Sequence, residues 1–373
     1  MSSAAAKKNK KLTFSRTDTK CIKAFALFLM LWHHLFAFPE RIHVDYNQWL
    51  VVGGVPLDQM IGSFGKICVA LFLFVGGVGT YYTVTKQRSD KKKNSTVVRK
   101  TAGLYAAFWR VFLVVVPISY IFHTNNAVLN VNEVALNFFG IEMSFCGEWW
   151  FLTPYIVLTL ASPIIVKIIS KQNNQLKSVI IATLYYLLTA VCLPFILKLD
   201  IFNTSNMVWT DVTLALRLST SFIVGCLFAR YDWLSKIKGI LGRNYIYSFL
   251  AFCLLPIMVW MRHYVSYEYD CIYAIVTVIC LIAILSMPIM KYPKKLLAII
   301  GAQSTNMWLL HSIFCYDWMQ GVIFWPHEPI LIFILLVVVS FLAGLLLDYF
   351  WKALLLIWRK LNLVEKLQFS PSE

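Results

Sequence analysis

The stretch ILIFILLVVVSFLAGLLLDYF, from Ile330 to Phe350, is apolar apart from one serine and one aspartate. As a helix it is long enough to cross the ~30 Å hydrocarbon core of a membrane, which takes about 20 residues. Similar apolar blocks recur along the chain. They predict ten spans, at about residues 22–38, 64–85, 102–122, 149–169, 178–197, 211–229, 244–261, 270–290, 296–316 and 330–350. The sequence therefore predicts an all-α, polytopic integral membrane protein with about ten transmembrane helices.

The composition supports this prediction. Of the 373 residues, 59% are apolar and 14% are charged, whereas soluble proteins contain about 25% charged residues. The first apolar block holds two histidines and lacks a small-residue cleavage site, so we do not expect a signal peptide there. No stretch between the spans is long enough for a soluble domain. We expect a disordered basic tail over 1–15, one membrane domain over 16–360 and a C-terminal tail over 361–373.

The net charge of +16 is unevenly distributed. Most lysines and arginines lie in the N-terminal tail, in the loop 86–100 and in every second loop after it, whereas the alternate loops are mostly acidic. Basic loops mark the cytoplasmic side, so we predict a plasma-membrane protein with both termini in the cytoplasm. Nucleic acid is not an expected partner. The loop 86–100 is either a solvated surface or a segment that attracts anionic membrane lipid or a phosphorylated cofactor.

The nine cysteines lie mostly inside the predicted spans, without a CxxC pair and without histidines at the spacing of metal ligands. This pattern is typical of small apolar residues that fill space between helices, and we expect neither a disulfide framework nor a metal site. The chain also lacks a Walker loop and a GxGxxG motif, which argues against an ATP-driven pump.

Ionisable side chains inside a membrane span are costly, so each is a candidate functional residue. In the first span, Lys23 and His34 lie within ~20° of each other around the helix and ~16 Å apart along its axis. Met30 shares their face, whereas His33 points ~100° away. If one histidine shares an internal cavity with Lys23, we expect it to be His34. The alternative is that both histidines hydrogen-bond backbone or water at the outer interface.

Later spans hold further polar side chains. The ninth carries Ser304 and His311, seven residues apart and on one face. The alternative for His311 is a structural histidine that is buried and hydrogen-bonded to a neighbouring helix. Arg110 lies ~12 Å inside the third span and Arg217 ~9 Å inside the sixth. Such a guanidinium needs a carboxylate, carbonyls, water or an anionic ligand. Contact with a ligand and a structural ion pair explain both arginines equally well. Asp211 is not on the same helix face as Arg217, so an ion pair of Arg217 would need a carboxylate from another helix.

Two other segments are candidate parts of a site because of their glycines or their aromatic residues. The stretch FLFVGGVG, Phe72–Gly79, lets a helix or a slim ligand approach the backbone closely, and close helix packing alone would explain it. The segment EWWFLTPYIVLTLASP, residues 148–163, begins with a carboxylate and two tryptophans at the outer boundary. An interfacial aromatic belt and a favourable helix dipole would explain these three residues as well.

These segments, taken in order, resemble acyltransferase family 3, whose members O-acetylate bacterial surface glycans and related acceptors. DTKCIKAFALFLMLWHH, Asp18–His34, is similar to the family's first helix, with lysine at 23 in place of the usual arginine. VALFLFVGGVG resembles the segment FFxLSG, with Gly76 in place of serine, and the WFL of Trp150–Leu152 resembles the family's WFL helix. STNMWLLH, residues 304–311, resembles S-Y-x-x-Y-L-x-H. The similarity extends from about residue 15 to residue 350.

The resemblance implies transfer of an acyl group, most often acetyl, from cytoplasmic acyl-CoA to a hydroxyl of a surface glycan, a lipid-linked sugar or a small acceptor on the outer side. His34 would act as general base or acyl acceptor, with His311 as the second catalytic residue. The donor would lie near the basic residues and the glycines, namely Lys23, Arg88, Arg110, Gly76 and Gly77. The acceptor would contact Glu148, Trp149, Trp150, Arg217 and Ser304. No metal cofactor is implied.

The residues alone leave other functions open. Buried cations and histidines also suit a transporter or flippase for a small polar or lipid-linked substrate. Transporters often show inverted repeats and broken helices, neither of which the sequence predicts. A non-catalytic sensor or scaffold on the same fold would not need His34 or His311. Consumption of acyl-CoA distinguishes an acyltransferase from both alternatives.

Overall fold

The computed structural model describes residues 13–87, 89–122, 124, 130–193, 207–242 and 244–368. Within these ranges the protein is almost entirely helical, apart from a short hairpin of β1 (Val51–Val52) and β2 (Val55–Pro56). The helices are α1 Arg16–Phe36, α2 Leu57–Gly65, α3 Cys68–Thr85, α4 Asp90–Ile121, α5 Val131–Phe138, α6 Leu152–Ser170, α7 Gln175–Tyr186, α8 Met207–Arg230, α9 Trp233–Leu241, α10 Tyr245–His263, α11 Asp270–Leu285, α12 Pro293–Ala302, α13 Ser304–Ser312, α14 Gln320–Phe324 and α15 Pro329–Gln368. Short 3₁₀ turns include Gly147–Phe151 and Tyr267–Tyr269, and π-helical segments cover Leu187–Cys192 and Ile313–Trp318.

The prediction of an all-α polytopic membrane protein is confirmed. In the described part of the chain, seven helical stretches are long and apolar enough to cross a membrane: 57–85, 91–121, 147–170, 212–230, 245–263, 267–285 and 329–360. The other three predicted spans correspond to α1, to the shorter apolar helix 175–190, and to the pair α12–α13. The count of ten spans and the cytoplasmic termini stay predictions.

Helix α1 lies among other helices rather than at the edge of the bundle. Ser15 caps its N-terminus, because the Ser15 hydroxyl accepts a hydrogen bond from the amide of Asp18 and the Asp18 carboxylate accepts one from the amide of Ser15. The helix packs against α2, α3, α12, α13 and α15, and most of its apolar side chains are fully buried. The side chains of Lys23, His33 and His34 therefore face protein groups or internal space instead of lipid.

The ninth predicted span is not one continuous helix, which corrects the sequence-based expectation. Helix α12 ends at Ala302, Gln303 interrupts it, and α13 begins at Ser304. Polar partners on α15 stabilise the break: Gln303 Nε2 donates to Asp348 Oδ2 at 3.1 Å, and Asn306 Nδ2 donates to the carbonyl of Gly344 at 3.4 Å. Irregular backbone at membrane depth is tolerated where protein groups surround it in this way.

Asp18, which matches the acidic residue of the family's first helix, links three helices. The carboxylate is 3% exposed and binds Lys238 Nζ of α9 at 2.6 Å and Lys294 Nζ of α12 at 2.9 Å. Burial alone would raise the pKa of Asp18, but hydrogen bonds from Lys238, Ser15 and Lys294 outweigh burial and lower the pKa to about 2. Asp18 therefore stays ionised and stabilises the end of the bundle opposite the histidines.

We expect Asp18→Asn to lower the free energy of unfolding by about 3 kcal/mol at pH 7, the usual effect of breaking a buried ion pair. Because folding lowers the pKa of Asp18 from 3.8 to about 2, its contribution is complete above about pH 4 and is lost as the pH falls towards 2. Thermal unfolding in detergent should thus separate wild type from variant at pH 7 and not at pH 2. An equal difference in Tm at both pH values would contradict this account.

Candidate active site

One cavity of about 610 Å³ connects α1 with several other helices. Its wall includes six of the residues that the sequence singled out, namely Lys23, His34, Glu148, Trp150, Arg217 and Ser304. They come from α1, the 3₁₀ turn Gly147–Phe151, α8 and α13. The fold therefore gathers polar side chains that lie far apart in the sequence around a single internal space.

Lys23 and His34 lie towards opposite ends of the face that α1 presents to the cavity. Met30 lies between them in the same wall, in agreement with the helical spacing of the three residues. In the parts of the chain that the structure describes, Lys23 forms no ion pair with a carboxylate. An ammonium group that is mostly buried without a carboxylate is a favourable contact for an anionic ligand.

The contacts of Tyr316 determine which nitrogen of His34 carries a proton. The Tyr316 hydroxyl lies 2.6 Å from the backbone carbonyl of His34 and 3.2 Å from His34 Nδ1. Since a carbonyl only accepts, the single hydroxyl proton goes to it, and the phenolic oxygen must accept from Nδ1–H. We therefore assign the proton to Nδ1. The other nitrogen, Nε2, is left with a free lone pair, as a general base or nucleophile requires.

His311 lies behind His34 rather than in the cavity wall. The two rings are 4.9 Å apart between centroids, and His311 is fully buried. His311 Nδ1 donates to the carbonyl of Trp308 at 2.6 Å, and its Nε2 has no hydrogen-bond partner among the described residues. Two imidazoles with free Nε2 atoms therefore lie side by side, and the second can accept a hydrogen bond from a protonated neighbour.

His33 also lines the cavity. Its Nδ1 donates to the carbonyl of Gly62 at 2.7 Å, so its ring is held against α2 by a backbone contact. This contact is the one that the alternative interpretation of the histidine pair predicted. Of the two adjacent histidines, only His34 contacts His311 and Tyr316.

An ion pair lies at the end of the cavity that is furthest from Lys23. Arg41 Nη1 binds Glu148 Oε1 at 2.7 Å, and the guanidinium lies over the rings of Phe38 and Tyr316 at 4.9 and 5.1 Å. Burial would lower the pKa of Arg41, but the hydrogen bond and the charge of Glu148, together with the contact with Tyr316, outweigh burial and raise the pKa. Glu148 is therefore a paired carboxylate whose partner also contacts the tyrosine behind His34.

Several predicted site residues lie elsewhere. Trp149 is fully buried and its indole donates to the carbonyl of Leu309 at 2.9 Å, so the structure does not bring it to the cavity. A side chain on Gly77 would lie 2.0 Å from the carbonyl of Phe222, which indicates close helix packing. Gly76 instead faces Tyr155, a residue of the cavity wall, at 3.1 Å from the position of an added Cβ.

Arg110 lines a second, neighbouring cavity of about 370 Å³ and pairs with Asp348 of α15 at 3.2 Å. Structural pairing is thus the interpretation that the contacts of Arg110 support. The two cavities share Leu104, Tyr155 and Thr305 as wall residues. Arg88 lies outside the described residues.

The comparison with known families agrees with this geometry. A family model described as an acyltransferase domain matches residues 18–349, nearly the whole chain and every predicted site residue. The chain belongs to acyltransferase family 3. No curated protein and no solved structure matches it. With the helical fold, the family match makes this protein a membrane acyltransferase, and the resemblance of the motifs to that family is confirmed.

Sequence reasoning missed Tyr316 and Lys66 as site residues. Tyr316 follows His311 by five residues and lies in the π-helical segment Ile313–Trp318, so its position deviates from α-helical spacing. Lys66 lies at the junction of α2 and α3 and lines the main cavity. In the sequence, Lys66 is one basic residue at the start of a span, with nothing that marks it as a site residue. The contacts that make both residues notable join distant parts of the chain.

Proposed function

We propose that this acyltransferase moves an acyl group, acetyl in the simplest case, from cytoplasmic acyl-CoA to a hydroxyl of a surface glycan or lipid-linked sugar on the outer side. One observation supports this proposal above the others. A single cavity has a cation, Lys23, towards one end, the Arg41–Glu148 pair at the other and His34 between them. A donor that enters from one side and an acceptor that enters from the other would meet at His34.

For the donor, Lys23 offers a positive charge in the cavity wall. Among the residues that the structure describes, no carboxylate pairs with it. Lysine interacts with phosphate as a compact point charge, without the bidentate geometry of arginine. Gly76 keeps the neighbouring face of Tyr155 open, because a larger side chain there would press on the ring. Arg110, from the adjacent cavity, and Arg88 remain predicted contacts of the CoA phosphates.

In the proposed reaction, His34 Nε2 removes the proton of the acceptor hydroxyl. The oxygen attacks the carbonyl carbon of the thioester, the C–S bond breaks, and the CoA thiolate takes the proton from His34. The same nitrogen is the nucleophile if the acyl group passes through His34 first. His311 Nε2 can accept a hydrogen bond but cannot donate one in this tautomer, and it lies behind His34, so it would act on the neighbouring imidazole rather than on the substrate. The Ser304 hydroxyl, also in the cavity wall, would donate a hydrogen bond to the bound acyl-CoA.

For the acceptor, the far end of the cavity offers Glu148, Trp150 and Arg217. The Trp150 side chain is 37% exposed, so its indole face is accessible to a sugar ring. Carboxylates accept hydrogen bonds from sugar hydroxyls. This end therefore has the aromatic and polar groups that a carbohydrate needs.

The test uses purified protein in detergent with radiolabelled acetyl-CoA. We expect saturable binding and slow release of the free CoA thiol, which added sugar acceptors would accelerate. Parallel titrations with longer acyl-CoAs would define the acyl group. If well-folded protein binds neither acetyl-CoA nor longer acyl-CoAs, the proposal is wrong and assays of substrate transport become the appropriate measurement.

In the same assay, Tyr316→Phe should lower kcat for CoA release about tenfold or more and leave the KM for acyl-CoA unchanged. The variant removes the hydrogen bond that keeps the proton on His34 Nδ1, so Nε2 loses its fixed role. Tyr46→Phe is the matched control, because that hydroxyl donates to Asp58 Oδ2 at 2.7 Å outside the cavity wall. Equal loss in both variants would indicate a structural effect only.

A further inference from the structure

Two cations lie at the end of the main cavity that holds the histidines, and nearby carboxylates neutralise little of their charge. Lys66 Nζ lies 4.2 Å from the ring centroid of Tyr267, and the guanidinium carbon of Arg217 lies 5.3 Å from the same centroid. All three residues line the cavity. The two cations come from distant parts of the chain, the α2–α3 junction and α8, and converge on one aromatic ring, although like charges repel.

The nearby carboxylates are mostly engaged by other cations. Glu148 binds Arg41 at 2.7 Å, and Asp270 binds Arg262 at 2.7 Å. Glu268 remains, but its carboxylate also accepts from the Ser266 hydroxyl and lies 3.9 Å from Arg217, beyond hydrogen-bond distance.

Among the described residues, no carboxylate forms an ion pair with Lys66. Three cations, Lys66, Arg217 and Arg262, are therefore accompanied by two carboxylates, Glu268 beside Arg217 and Asp270, which pairs with Arg262 and also feels the charge of Lys66. A surplus positive charge at a partly enclosed site is stabilised by an anionic ligand.

The position of Lys66 separates this cation pair from Lys23. The preceding residue, Gly65, packs against Leu29 and His33 of α1, so Lys66 lies level with the histidines. Lys23 lies ~16 Å further along α1 from His34, by helical rise. A donor whose thioester lies at His34 and whose phosphates lie near Lys23 would leave Lys66 and Arg217 unoccupied.

We propose that Lys66 and Arg217 bind an anionic group of the acceptor, a phosphate or a carboxylate, so that this enzyme acylates anionic sugars in preference to neutral ones. This inference rests on the proposed function and specifies its acceptor. The reacting hydroxyl would reach His34 while the anionic group is held by the two cations. The exposed edge of Tyr267 and the Trp150 indole would border the sugar between them.

The test is a ligand-observed NMR titration of the purified protein with glucose 1-phosphate, glucuronate and glucose. We expect the two anionic sugars to bind saturably, and glucose to bind at least about tenfold more weakly, the usual effect of losing one charge-assisted contact. Lys66→Gln and Arg217→Gln should each weaken binding of the anionic sugars by about tenfold. Lys66 is exposed, so its replacement should leave folding intact.

Lys295→Gln is the matched control. Lys295 also lies over a tyrosine ring, that of Tyr292 at 5.8 Å, but outside the cavity wall. Binding should be unchanged in this variant. If glucose binds as well as the anionic sugars, or if Lys66→Gln and Arg217→Gln bind them as wild type does, the proposal is wrong.

Competition identifies the source of the anion. Adenosine 3′,5′-bisphosphate, which presents the 3′-phosphate and one of the two 5′-phosphates of CoA, should not displace glucose 1-phosphate. Displacement would assign the two cations to the donor and overturn the inference. Acetyl-CoA turnover without a preference for anionic sugars would refute the inference and leave the proposed function standing. Failure to bind any acyl-CoA, with anionic sugars still bound, would refute the proposed function instead.

Discussion

Replacing His34 with alanine should lower the rate of CoA release at least about a hundredfold, the usual contribution of a positioned general base. The reason is geometric. The Tyr316 contacts leave His34 Nε2 with a free lone pair in the cavity that also contains Lys23. Acyl-CoA binding should persist, because the cation assigned to the donor phosphates lies elsewhere on α1. Radiolabelled acetyl-CoA with detection of free thiol measures both quantities.

His43→Ala is the control for this variant, since His43 is exposed and lies outside the cavity wall. Its turnover should equal that of wild type. Turnover that survives in His34→Ala would remove the proposed mechanism. It would favour a role for the fold in which the histidine pair is dispensable, as expected for a sensor or scaffold.

Gly77→Ala should have the largest effect on stability. An added Cβ at Gly77 would lie 2.0 Å from the carbonyl oxygen of Phe222 in α8, and one at Gly225 would lie 2.1 Å from the carbonyl of Phe74 in α3. The two helices thus meet backbone to backbone through a reciprocal glycine pair. Since the obstructing atoms belong to backbone, the helices must separate, at a cost of about 3 kcal/mol or more.

The matched control is Gly79→Ala, two residues along the same helix. No atom of the described residues lies within 4 Å of an added Cβ there, so its Tm should equal that of wild type or exceed it, because alanine favours the helix. Thermal unfolding in detergent compares the two variants directly. A Tm for Gly77→Ala equal to that of wild type would mean that the backbones of α3 and α8 are not in such close contact.

The residues on one face of α1 show what helical periodicity alone can predict. Helical periodicity alone places Lys23, Met30 and His34 on one side, and all three line the cavity. The same reasoning could not predict that His33 lines this cavity too, because its position depends on α2. It also could not decide between ligand and pairing for Arg110, whose carboxylate partner is Asp348 on α15.

At other positions, tertiary contacts override the preference that the local sequence indicates. The ninth span was expected to be continuous, yet polar partners on α15 stabilise a break at Gln303. Trp149 matches an interfacial tryptophan by sequence, but the 3₁₀ turn Gly147–Phe151 directs its indole to Leu309 in the core. Adjacent tryptophans in one motif therefore have different environments, since Trp150 lines the cavity.

The sequence by itself determined that this protein is a helical membrane acyltransferase, because hydropathy, helical period and motif order are properties of consecutive residues. The tertiary structure alone decided the contact of His34 with His311, the proton position set by Tyr316, and the convergence of Lys66 and Arg217 on Tyr267. Each of these contacts joins residues far apart in the chain. Their geometry depends on how the helices pack, which no local pattern encodes.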